Sequence, residues 1–158
     1  MKFRYYDFPA APSPTLCPGI ASRPIINAKL FYPPSGKELV LLCMLDTGAD
    51  ISMFTEEVGR NLGIDVRSGL ECPFYSPGSG AYHKAFRHDL VIDIGGNAFE
   101  TSAGFVPGAN SVPFSILGQY GVFDSFKITF NIRKKELEMT PAVKMPMLAE
   151  IKKRFLPG

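Results

Sequence analysis

The sequence predicts a mainly β protein, a barrel or a sandwich in a single domain. Three observations carry that expectation. The chain has 158 residues, 46% apolar and 20% charged, which supplies one core of ordinary size. Short apolar segments bounded by Gly or Pro recur along most of its length. Helical periodicity is confined to one short stretch after Phe54 and another at the carboxyl end.

Taken in order, residues 9 to 24 contain Pro9, Pro12, Pro14, Pro18 and Pro24. Proline fixes its own φ and lacks a backbone donor, so this stretch is expected to be extended and irregular. It sets residues 1–24 apart as a Pro-rich arm before a domain at 25–140. Ile25 to Tyr32 alternates and predicts a strand. Pro33-Pro34-Ser35-Gly36 is a turn, and the apolar run Leu39 to Leu45 returns antiparallel as its hairpin partner. That run stops at Asp46 and opens the polar corner Asp46-Thr47-Gly48-Ala49-Asp50. Ile51 to Phe54 predicts a short strand. Thr55 is placed to cap a helix over Glu56 to Leu62, whose two first-turn acids suit the positive end of the helix dipole. Gly63 ends it. Strands are expected at Cys72 to Tyr75, Tyr82 to Phe86, Asp89 to Ile94, Ala98 to Val106 and Phe126 to Phe130. Their breaks fall at Pro77-Gly78-Ser79-Gly80, Gly95-Gly96 and Pro107-Gly108. Leu137 to Met139 reads as a last strand. Met147 to Phe155 reads as a helix within a basic tail at 141–158.

Net charge is +2, from 17 Lys and Arg against 15 Asp and Glu, too balanced to imply nucleic acid. The distribution is less even: 8 basic and 3 acidic residues from Lys127 onward, against 9 and 12 before it. The basic end reads either as a solvated tail or as a surface for an acidic partner or membrane. No run approaches the roughly 18 apolar residues of a membrane span, and the amino terminus has no apolar core of a secretory signal. Cys17, Cys43 and Cys72 are odd in number and widely spaced, without a CxxC pair. A zinc knuckle and a disulfide framework are therefore not expected, and a reducing cytoplasm is. Cys43, inside an apolar run, reads as a small core residue. His83 and His88 lie five apart, on opposite faces of a regular strand, and are expected to be exposed polar residues rather than metal ligands. No metal and no cofactor is expected.

The informative segment is Leu41-Leu42-Cys43-Met44-Leu45-Asp46-Thr47-Gly48-Ala49-Asp50-Ile51-Ser52. An acid stands at the end of an apolar strand, in a tight corner. Burying a lone carboxylate costs several kcal/mol unless the group is paired, hydrogen-bonded or used. Thr47 offers a hydroxyl, and Gly48 lets backbone amides approach the carboxylate. On the tripeptide alone, which occurs by chance, Asp46 is more readily read as a turn or N-cap residue. The context adds weight: Ala-Asp-Ile-Ser follows, and Ile116-Leu117-Gly118 lies some 70 residues downstream.

Three segments together resemble the retropepsin-like aspartic proteases, the single-domain kind found in retroviruses and in some bacterial and archaeal proteins. Asp46-Thr47-Gly48-Ala49-Asp50-Ile51-Ser52 resembles the catalytic loop. Thr55-Glu56-Glu57-Val58-Gly59-Arg60-Asn61-Leu62-Gly63-Ile64 is similar to the short helix that follows in cellular members. Ser115-Ile116-Leu117-Gly118, with Phe123 to Phe130, resembles the apolar-apolar-Gly element and the strand after it. The resemblance spans roughly Ile25 to Met139. Gln119-Tyr120-Gly121 departs from the Arg-Asp-aromatic that cellular members often carry there, with Gly121 as an apparent insertion.

The resemblance implies a closed β-barrel of the acid-protease type, with one short helix and one lobe per chain. The chain would cross beneath the catalytic loop at Ile116, Leu117 and Gly118. It implies a homodimer acting on an extended polypeptide, with one catalytic Asp46 from each subunit and Thr47, Gly48 and Ala49 shaping the loop. A β-hairpin flap is implied as well. Its candidate is Cys72 to Phe86, with the tip at Ser76, Pro77, Gly78, Ser79 and Gly80; the other reading is an ordinary surface hairpin. Tyr75 or Tyr82 is a candidate to line the cleft. Asp50 is expected to bond backbone or an arginine such as Arg60 or Arg87. The function expected is aspartic endopeptidase. The alternatives are a non-catalytic dimeric module that binds peptides on the same fold, and a structural barrel with a chance tripeptide.

Overall fold

A computed structural model describes residues 1–9, 19–76, 80–108 and 115–156. Its center is a ring of strands. Two of them, β4 (Ile25–Tyr32) and β5 (Lys37–Leu45), form the expected hairpin, paired antiparallel from Ile25↔Met44 to Tyr32↔Lys37. After the Asp46 corner come β6 (Ser52–Thr55) and α1 (Glu56–Asn61). The Thr55 hydroxyl accepts from the Val58 N–H at 3.3 Å, the cap the sequence foresees. Then follow β7 (Leu70–Ser76), β8 (Ala81–Ile94), β9 (Asn97–Val106) and β10 (Ser115–Leu117).

The strand order is β4-β5-β10-β6-β9-β8-β7, with a further pairing of β4 to β8. That pairing, Lys29–Phe31 against Val91–Asp93, closes β4-β5-β10-β6-β9-β8 into a barrel. Closure pairs the two ends of that run with each other, while β7 extends beyond the ring as the outer strand of the β7–β8 hairpin. The fold is therefore mainly β and a closed barrel. Leu30, Cys43, Phe54, Leu90, Ile92, Phe105 and Leu117 are buried in its core.

Several elements differ from the sequence reading. Two expected strands, Tyr82 to Phe86 and Asp89 to Ile94, are one 14-residue strand, β8. The polar pair Arg87-His88 does not break it, because one edge of β8 is shared along its length. Its first half pairs with β7 and its later part with β4, while β9 runs along the other edge. Of the Pro-rich arm, residues 10–18 lie outside the described residues, and on either side of them the segment carries strands that the sequence reading did not expect. The chain begins with β1 (Lys2–Arg4) and β2 (Tyr6–Pro9), and β3 (Ile20–Arg23) pairs with β2. Strand β1 pairs with β12 (Glu136–Pro141), and β12 with β11 (Phe126–Asn131), in a separate three-stranded sheet. Phe126, Leu137 and Met139 join this sheet to the barrel core.

The terminal helix α2 (Leu148–Phe155) forms where expected, but it is not simply a solvated tail. Leu148 and Ile151, one turn apart, are buried against Phe31, Val91 and Ala98. Lys152 and Arg154 pair with Glu38 and Glu100 on the barrel. No helix among the described residues is long and apolar enough to cross a membrane.

Candidate active site

Asp46 follows directly on β5, and its position is set by backbone hydrogen bonds from three directions. Its N–H donates to the Leu117 carbonyl at 3.1 Å. The preceding Leu45 N–H donates to the Pro24 carbonyl at 2.9 Å. The Ala49 N–H closes the corner onto the Asp46 carbonyl at 3.3 Å. The Gly48 N–H points at the carboxylate itself, 2.9 Å from Oδ1. The second carboxylate oxygen has no hydrogen bond among the described residues. Asp46 is half-buried and Thr47 exposed, so the single chain does not bury the acid as the sequence reading supposed.

Strand β10 holds this corner from beneath. It lies parallel to β5, with Leu117 opposite Leu45, and antiparallel to β6, with Ile116 opposite Met53. The two strands flanking the acid corner are thus separated by a third that arrives some 70 residues later. Gly118 is where the backbones come closest. A Cβ there would stand 2.4 Å from the Ile51 carbonyl group and 2.8 Å from the Ala49 oxygen. Its N–H donates to the Ser52 hydroxyl at 3.2 Å, and Ser52 is fully buried.

Gln119 completes the support. Its backbone N–H donates to the Ala49 carbonyl at 2.8 Å, and its side-chain Nε2 donates to the Thr47 carbonyl at 2.7 Å. Tyr120 N–H donates to the Asp50 carbonyl at 2.9 Å. The departure noted in the sequence is therefore a working part of the loop. Gly121 has a φ of +88°, and a Cβ on it would meet the Thr101 hydroxyl at 2.1 Å, so the wide turn at Gln119–Phe123 requires glycine there. Sequence reasoning missed Ser52 and Gln119 as supports. The available signal was their position beside the two motif segments.

Asp46 opens into a cleft of about 470 Å³. One wall is the acid corner with Ile51, Met53 and Ile116; the other is the β7 side of the β7–β8 hairpin, with Cys72, Pro73, Phe74 and Tyr75. The hairpin is regular up to Ser76↔Ala81. Pro77, Gly78 and Ser79 of the expected tip lie outside the described residues, as does Cys17. Tyr75 lines the cleft, whereas Tyr82 is 77% exposed and packs edge-on against it at 5.3 Å between ring centroids.

The remaining candidates fall as follows. Burial pushes the Cys43 thiol up to about 12, as befits a core residue. Burial also raises Cys72, with Arg87 pulling in the other direction. His83 stacks on Phe74 at 5.4 Å. His88 sits edge-on to Phe105 and bonds the Val66 carbonyl at 2.9 Å. Both rings are half-buried rather than exposed, because each fills space against an aromatic neighbor. Asp50 forms no ion pair with Arg60 or Arg87 among the described residues, contrary to expectation. No cluster of three or more metal-ligating side chains occurs among them either.

The strand ring and the acid corner at its mouth define a mainly β barrel with a carboxylate-bearing cleft. No protein-family model matches the chain, and no curated protein matches it. Among solved structures it is similar to the EIAV protease complexed with the inhibitor HBY-793. The identity is 22%, over 61% of this chain and 82% of that one, with a TM-score of 0.46. The barrel assignment rests on the strand pairings of this chain itself.

Proposed function

We propose that the chain is an aspartic endopeptidase that works as a homodimer. The observation that carries this reading is Asp46 itself: a carboxylate held by the Gly48 N–H at the mouth of a largely apolar cleft. Its half-exposure fits a group whose partner comes from elsewhere. The Thr47 hydroxyl, exposed and without a hydrogen bond among the described residues, is free to bond across a two-fold axis.

In that assembly two Asp46 carboxyls face each other. At about 3 Å they cannot both ionize, so they share one proton and titrate as a pair. The ionized member takes a proton from a water molecule, whose oxygen attacks the scissile carbonyl carbon. The protonated member donates to the carbonyl oxygen. Collapse of the tetrahedral intermediate breaks the C–N bond, and the departing nitrogen takes a proton back from the dyad. No covalent enzyme intermediate forms. The β7–β8 hairpin serves as the flap that aligns an extended peptide and excludes water.

The test is cleavage of a mixed peptide library by the wild type and by Asp46→Asn. Cleavage that disappears in the variant is expected. Equal cleavage by both would remove Asp46 from the chemistry. Peptide binding without cleavage would favor the non-catalytic module. Sedimentation equilibrium should approach twice 17.3 kDa at high concentration. A strictly monomeric, fully active protein would contradict the paired-acid mechanism.

A further inference from the structure

The basic carboxyl-terminal part of the sequence has no task in the proposed mechanism, and the fold divides it. On α2, Lys152 and Arg154 are neutralized by Glu38 and Glu100 of the barrel, and Lys153 stands one turn from Glu150. On the terminal sheet, Lys2 lies opposite Glu138 and Arg4 opposite Glu136, so that face is mixed in sign. The tip of the β11–β12 hairpin is different. It is a single 3-10 turn, Ile132–Lys134, in which Arg133 and Lys134 are exposed and form no ion pair among the described residues. Lys135, next in line, is already paired with Asp7. Ile132 is 76% exposed, and Phe130 at the end of β11 is exposed as well. The tip is also rigid. The Lys134 N–H donates to the Asn131 side chain at 3.1 Å, the Lys135 N–H to the Ile132 carbonyl at 3.1 Å, and the Tyr5 N–H to the Lys135 carbonyl at 2.8 Å. A tip already ordered loses little freedom on docking.

A large apolar side chain held in water beside two unpaired cations fits one kind of surface best. A polyanion such as nucleic acid rewards the cations but offers nothing to Ile132. A bilayer with anionic lipid rewards both: its surface charge attracts the cations, and its acyl boundary takes the apolar side chain. We propose that the β11–β12 tip docks this protein on an anionic lipid surface. Ile132 enters the headgroup layer, and Arg133 and Lys134 lie against headgroup phosphates and carboxylates. One such tip is a weak and reversible anchor. No residue of it lines the cleft of Asp46, so the docking surface is separate from the candidate active site.

The experiment sediments the full chain with vesicles of phosphatidylcholine alone and with vesicles in which a third of the lipid is phosphatidylserine. Binding should favor the anionic vesicles, reach its midpoint at about millimolar lipid, and fade as salt is added. Arg133→Gln/Lys134→Gln should weaken it about thirty-fold, at about five-fold for each charge. Ile132→Ser should weaken it about five-fold. Lys153→Gln, on the neutralized half of the basic end, should leave it unchanged. All four side chains are exposed, so each variant should keep the wild-type Tm. No excess binding to the anionic vesicles overturns the proposal, and so does an equal loss in Lys153→Gln. Full binding by Ile132→Ser would reduce the tip to a contact for polyanions and overturn the lipid assignment. Duplex DNA that strips the protein from the vesicles through the same two cations would do the same. Asp46→Asn should bind vesicles as the wild type does, which keeps this test apart from that of the endopeptidase.

Discussion

The Asp46 corner and helix α2 belong to the same barrel but are held to it by different forces. The corner is fixed by directional backbone bonds: Asp46 to Leu117, Gln119 to Ala49 and Thr47, Gly118 to Ser52. Few of its own side chains are buried. Helix α2 is fixed by two apolar side chains, Leu148 and Ile151, with surface ion pairs around them. Burial is non-directional and scales with area, at about 1.5–3 kcal/mol for each such side chain. Hydrogen bonds each add about 1 kcal/mol but set geometry. Damage to the corner should therefore change chemistry more than stability, and damage to α2 should do the opposite.

The largest expected contrast comes from Asp46→Asn. It should lower turnover by about three orders of magnitude, the scale of a lost acid–base group, with Tm almost unchanged. A large drop in Tm would break the comparison. Gly118→Ala comes next. The added methyl meets backbone that cannot yield, so a loss of about 2–4 kcal/mol in urea denaturation is expected together with loss of cleavage. Ile151→Ala should cost a similar ~2–4 kcal/mol through the cavity it leaves, yet retain wild-type kcat/KM at a temperature where the variant is folded. Gln119→Ala removes the bond to the Thr47 carbonyl. About 1 kcal/mol of stability should go, with a fall in kcat as the loop loosens.

The smallest effect concerns the ion pairs of α2. The Lys152 hydrogen bond lowers the Glu38 pKa below its ordinary 4.5. A depressed carboxylate stabilizes the fold above its unfolded pKa and loses that contribution as pH falls through the folded value. Lys152→Gln should therefore differ from wild type by less than about 1 kcal/mol at neutral pH, and the difference should begin to shrink as pH falls below 4.5 and vanish once the pH is below the depressed folded value of Glu38. A pH series of urea melts checks it.

Much of this molecule is legible in its sequence where local chemistry decides. Alternation marks β4 and β9, a threonine cap marks α1, and an apolar run broken by Asp-Thr-Gly marks the corner. What escaped the sequence depends on partners distant along the chain. Strand β1 forms because β12 offers it an edge, not because Lys2-Phe3-Arg4 is a strong strand former. Strand β8 continues through Arg87-His88 because two neighbors share its flank. Gln119 reads as a mismatch until the Thr47 carbonyl is seen beside its amide. The ring contacts of the two histidines were equally invisible, since spacing along a strand gives its face but not what lies against that face.

The position of β10 has a consequence for how the molecule comes into being. A strand from residues 115–117 is wedged between two strands that are consecutive in sequence, so β5 and β6 cannot settle into place until it arrives. Such distant pairing is slow to nucleate. During synthesis the acid corner stays unformed until residues 115–117, some 70 positions after Asp46, have been made, and any competence tied to Asp46 is withheld from the nascent chain until then.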